Sequence, residues 1–125
     1  MPKEIELGDL MLDCDNEERL SDFYHKLLGW KKHKMFGHPA VSSENGLTLL
    51  FVEDNNYIPP IWPEEKGRQQ KQMHLNFEVN DLAAAIHNAE LYGAVKAKNQ
   101  FGGSQFITFF DPSGHPFCLC AKHKS

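Results

Sequence analysis

The chain has 125 residues, 41% of them apolar, 24% charged and 11% aromatic, with thirteen Lys and Arg against seventeen acids for a net charge of −4. These are proportions of a folded protein, and by the scaling of surface with mass a chain of this size buries about two-thirds of its surface in one core, so disorder is excluded and one domain over residues 1–125 is expected. No basic stripe marks a nucleic-acid face, and no apolar run approaches the roughly 18–20 residues of a spanning helix, so neither a nucleic-acid partner nor a membrane is expected.

The first predicted strand, Asp9 to Asp15, alternates: Leu10, Leu12 and Cys14 point one way, and Asp9, Met11 and Asp13 the other. A helix follows, with Asp15 or Asn16 as N-cap, Glu17 and Glu18 in its first turn, and a stripe of Leu20, Phe23, Tyr24, Leu27 and Leu28. Gly29 is placed to end it in the left-handed conformation. Strands are then expected over Trp30–Phe36, Ala40–Ser43 and Leu47–Val52, with turns at Gly37-His-Pro39 and Glu44-Asn-Gly46. Lys31, Lys32 and Lys34 read as the solvated face of the first of these strands.

Residues 55–70 hold Pro59, Pro60 and Pro63 with Tyr57 and Trp62, and read as a stiff linker or lid. The pattern then repeats. His74 to Asn80 alternates Leu75, Phe77 and Val79 against His74, Asn76 and Glu78, and a helix follows with Asn80 or Asp81 as cap. Its stripe is Leu82, Ala85, Ile86, Ala89 and Tyr92, and Gly93 is its stop. Strands follow over Ala94–Lys98, Phe106–Asp111 and Phe117–Ala121.

The expected fold is therefore α+β: two βαβββ modules, about 4–54 and 71–122. One helix covers only one face of each sheet, so two modules together predict a curved mixed sheet that cups a cavity, with the helices on its outer face. The polar strand faces then look inward, carrying Asp9, Met11, His74 and Asn76. The acidity belongs to the first copy: residues 1–57 carry eleven acids and six Lys and Arg, and residues 58–125 carry six and seven.

Phe23-Tyr-His-Lys-Leu-Leu-Gly29, Met73-His-Leu-Asn-Phe-Glu-Val79 with Asp81-Leu82, and Phe110-Asp-Pro-Ser-Gly114 occur in the order found in the vicinal oxygen chelate superfamily, the glyoxalase, bleomycin-resistance and ring-cleaving dioxygenase group, which the chain resembles. The resemblance implies a small organic ligand in the cup. It also implies a divalent metal held by His or Glu from the first and last strand of each module, and a twofold homodimer. Carried over by position, the metal residues are His74, Asp9 and Cys118, where Asp9 holds its place if the strands are aligned through Leu10 and Leu75 but gives way to Gly8 if the helix caps are aligned, Cys118 stands in the usual Glu position and Leu49-Leu-Phe51 offers no ligand. The set is incomplete, so a metal-free cavity is the leading expectation; if an ion is held, Cys118 favours Zn²⁺, with Ni²⁺, Mn²⁺ or Fe²⁺ as the other readings. His74 is the candidate general acid or base, and Asp9, Met11, Trp62, Asn76, Phe109 and Cys118 are the candidate ligand-lining residues.

Three functions stay open: a glyoxalase-like binder of a small molecule, a metal-dependent lyase or dioxygenase, and a drug-sequestering resistance protein. Cys14 reads as packing. Cys118 and Cys120 share a strand face, and three cysteines without a CxxC fit free thiols in the cytoplasm. His25, His33, His38, His87 and His123 read as surface or turn residues.

Overall fold

The computed structural model describes residues 4–122; His123 lies outside the described residues. Two compact units divide between Tyr57 and Ile58. The first contains β1 (Leu10–Cys14), α1 (Glu17–Leu28), β2 (Lys31–Met35), β3 (His38–Ser42) and β4 (Thr48–Glu53). The second contains β5 (Leu75–Val79), α2 (Leu82–Leu91), β6 (Val95–Lys96), β7 (Phe106–Phe110) and β8 (Pro116–Ala121). Each has a four-stranded mixed sheet, ordered β1-β4-β3-β2 in one and β5-β8-β7-β6 in the other. The same order in both units is the repeat seen in the sequence: the module's first and last strands pair in parallel, and antiparallel hairpins complete the sheet.

In the first unit, Asn16 is the N-cap, its side chain accepting from the Arg19 N–H at 3.0 Å, and Gly29 closes the helix at φ 69° with its N–H on the His25 carbonyl at 2.9 Å. The helix buries Leu20, Phe23 and Tyr24, and Tyr24 stacks on Phe51 of β4 with ring centroids 5.7 Å apart. Leu10 pairs with Leu49 and Leu12 with Phe51, so these residues form the helix-side face with Cys14. Glu17 ties the start of α1 to the sheet. Its carboxylate accepts from the Glu53 N–H at 3.1 Å and meets His38 Nδ1 at 3.0 Å, while its own N–H donates to Glu53 at 3.2 Å.

Two local readings need correction. Lys32 is not on a solvated face; it reaches α1, bonding Asp22 at 2.5 Å and Glu18 at 3.1 Å. Pro39 is not in the turn but inside β3, opposite Lys34. The β3–β4 pairing begins one residue later, at Ala40 and Leu50, so the missing proline N–H breaks no ladder bond. The tight turn is made by Phe36 and Gly37, both at positive φ.

In the second unit, Asp81 caps α2 by accepting from the Ala84 N–H at 3.0 Å, and the helix buries Ala89. Leu75, Phe117 and Phe109 lie in register, as do Asn76, Cys118 and Thr108, and the two rows face opposite sides. β6 is shorter than expected. Beyond it, the Gln100 side chain replaces the ladder, donating to the Ala97 and Thr108 carbonyls at 2.7 and 2.9 Å and accepting from the Thr108 N–H at 2.9 Å. The Asp111–Gly114 turn forms as the sequence predicts: the buried Asp111 carboxylate accepts from the N–H groups of Ser113 and His115, and Gly114 sits at φ 90°. Among the described residues no helix is long and apolar enough to cross a membrane.

Candidate functional site

His74 directly precedes β5. Continuing the β5–β8 register would set it opposite Pro116, which has no N–H, so the ladder stops and His74 stands at its end. Alternation places His74 on the same side as Asn76, the face turned away from Leu75 and Phe117. From there His74 Nε2 lies 3.2 Å from Cys118 Sγ, and the same sulfur lies 3.2 Å from Thr108 Oγ1. An imidazole, a thiol and a hydroxyl thus form one row across β5, β8 and β7, and Gln100 holds the backbone of its last member.

Burial is the main cause holding the His74 imidazole below its ordinary pKa, with the Lys71 charge adding to it. A hydrogen bond that the ring donates to the Asn76 side chain and the carboxylate of Glu64 oppose both. Near neutral pH, His74 is therefore a neutral base. Lys71 itself is tied to Glu64 at 2.5 Å, and that bond keeps the Glu64 carboxyl below its ordinary value.

The proline segment belongs to this unit. The Ile61 N–H donates to the Gln69 carbonyl at 2.7 Å, and the Trp62–Pro63 peptide bond is cis. The Trp62 ring packs edge-on against Phe101 at 5.7 Å and Phe110 at 6.4 Å. Phe110 shares a side of β7 with Thr108, so Trp62 covers the face that carries His74 and Cys118. Pro59 holds it there: a Cβ on Gly114 would come within 2.8 Å of Pro59 Cβ, so the segment lies directly on the Asp111–Gly114 turn.

The second unit brings His74, Asn76, Cys118 and Trp62 to one sheet face. Phe109 is a correction: it is fully buried in the opposite row, stacked on Phe117 at 5.7 Å, and cannot line a ligand site on that face. Asp9 is half-buried just before β1 and Met11 is exposed on β1, both in the first unit. Among the described residues no three His, Cys, Asp or Glu side chains gather closely enough to hold an ion. Within the second unit His74 and Cys118 are two donors without a third, fewer than a divalent centre takes from its protein, and in the first unit Leu49, Leu50 and Phe51 are buried hydrocarbon.

One polar row escaped the sequence. His33 Nε2 lies 2.7 Å from Ser42 Oγ, which lies 2.7 Å from Thr48 Oγ1, crossing β2, β3 and β4. His33 sits within Lys31-Lys-His-Lys34, where polar residues on both sides hide the alternation.

The glyoxalase-like domain pattern matches residues 9–120. The chain belongs to this family. Its wider group is the vicinal oxygen chelate superfamily, whose members bind small molecules and often use divalent metals. A glyoxalase/dioxygenase from Nostoc punctiforme is similar in structure, with TM-score 0.70, 15% identity, and coverage of 95% of this chain and 92% of that one. The fosfomycin resistance protein FosX from Listeria monocytogenes matches at TM-score 0.68 and 14% identity, covering 98% and 95%. An integron cassette protein from V. cholerae matches at TM-score 0.64 and 19% identity, covering 98% and 99%. These likenesses carry the fold. No curated protein sequence matches the chain significantly.

Proposed function

We propose that this glyoxalase-like domain binds a small, flat organic molecule on the polar face of its second sheet, with His74 as polar anchor and Trp62 as aromatic wall. The supporting observation is that the His74–Cys118 contact and the Trp62–Phe110 packing fall on one face of one sheet. An aromatic wall beside a few convergent polar groups is the usual composition of a small-molecule site. His74, neutral at physiological pH, accepts a hydrogen bond from the ligand or takes a proton from it. Asn76 fixes the imidazole by its hydrogen bond.

Fluorescence titration tests this in a Trp30→Phe variant, where Trp62 is the only remaining indole. A panel of small aromatic and oxo-acid compounds should quench or shift Trp62 emission, and His74→Ala should weaken the response. Unchanged emission across the panel would refute the reading. Three free thiols at Cys14, Cys118 and Cys120 support a reducing, cytoplasmic setting. The exposed Leu91 and Val95 support a homodimer, which a sedimentation mass near the 14.3 kDa of one chain would overturn.

A further inference from the structure

The three cysteines differ sharply. Cys14 is fully enclosed on the helix side of the first sheet, and burial pushes its thiol up to about 12, with Glu17, Asp15 and Glu53 adding to the effect. Cys120 is the more exposed of the two on β8; burial raises its pKa, and Cys118 and Glu78 raise it further. Cys118 is nearly enclosed but has an imidazole nitrogen and a hydroxyl oxygen each 3.2 Å from its sulfur. A neutral imidazole can take the thiol proton, and a hydroxyl can donate to the sulfur left behind. A base and a donor within reach of one sulfur is the arrangement that nucleophilic cysteines use.

We propose that Cys118, activated by His74 and Thr108, is a nucleophilic thiol that adds reversibly to small conjugated carbonyl compounds reaching the Trp62-covered face. This rests on the reading of that face as the ligand site and names its substrate class. The addition balances without any co-reactant. The sulfur–hydrogen bond breaks and its proton passes to His74 Nε2; the sulfur pair forms a bond to the β-carbon, and the π electrons move onto the carbonyl oxygen as an enolate. His74 then returns the proton to the α-carbon, leaving a thioether and a neutral imidazole. The low exposure of Cys118 limits the electrophile to small, flat molecules.

The experiment is timed alkylation of the folded chain with substoichiometric N-ethylmaleimide, quantified at each cysteine by peptide mass spectrometry. Exposure alone predicts Cys120 first. The proposal predicts Cys118 first and Cys14 last. His74→Gln should slow Cys118 by about tenfold or more, the low end of general-base contributions, and leave the Cys120 rate unchanged. Thr108→Val should slow it less, and serves as the second variant should His74→Gln melt early. Modification of Cys120 first, or a Cys118 rate indifferent to both substitutions, would overturn the proposal. A Trp62 titration with a non-electrophilic aromatic compound separates the two ideas: binding without Cys118 reactivity refutes the thiol chemistry alone, and no binding refutes the site.

Discussion

Gln100 stands in for a missing stretch of strand, and removing its amide tests how the His74–Cys118–Thr108 row is held. Gln100→Ala deprives the Thr108 N–H of its acceptor and the Ala97 carbonyl of its donor, whereas the Thr108 carbonyl keeps the Ala97 N–H at 3.0 Å. Two bonds of about 0.5–1.5 kcal/mol each are therefore lost. Gln100 lies at an exposed position, so water replaces part of this. The expected loss is about 1–2 kcal/mol, read as a lower urea midpoint at constant slope, or as a fall in Tm of about 4–8 °C for a domain of this size. Gln100→Glu is the sharper test, because a carboxylate can accept from Thr108 N–H but repels both carbonyls. The folded-state pKa of that Glu should rise above its unfolded value, so the variant loses stability as pH rises through the window between them and approaches the parent in acid. A Gln100→Ala protein with an unchanged midpoint, or a Gln100→Glu protein with no acid recovery, would refute the reasoning.

Phe109→Ala should cost about 3–5 kcal/mol by urea titration, as an emptied core site does, whereas Phe101→Ala at an exposed position should cost well under 1 kcal/mol. Gly102→Ala forces a Cβ to within 2.3 Å of the Phe106 carbonyl oxygen and should lower stability by about 1–3 kcal/mol in thermal melts. Cys14 should make the fold alkali-sensitive. Its unfolded thiol ionises near 9 and its folded thiol near 12, so stability is full below pH 9 and falls across that window by at most about 1.36 kcal/mol per pH unit; Cys14→Ala should flatten the curve. His74 acts at the acid side: its lowered folded pKa means the unfolded chain binds its proton first, so stability rises with pH up to about 6.5 and is level above, and His74→Gln should remove that slope.

The repeat was legible because each module announces itself with alternation, a capped helix and a glycine stop, and Asn16, Gly29 and Asp81 behave as their chemistry demands. Parity along β5 likewise put His74 and Asn76 on one face. What failed was information that lives between strands. Phe109 and Thr108 are neighbours in sequence, and only the β7–β8 register assigns one to the core and the other to Cys118. The His33–Ser42–Thr48 row joins three strands and no motif spans it. Trp62 reads from the sequence as part of a stiff apolar segment, but its partners Phe101 and Phe110 lie some forty residues further along the chain.

That row in the first unit has a directional character. With His33 neutral and accepting at Nε2, Ser42 gives its hydrogen to the ring and Thr48 gives its own to Ser42, so both hydroxyls orient toward β2. With the ring hydrogen on Nε2 instead, Ser42 accepts from the imidazole and turns its own hydrogen to Thr48, so the tautomer of one edge-strand ring sets the direction of two hydroxyls across the sheet.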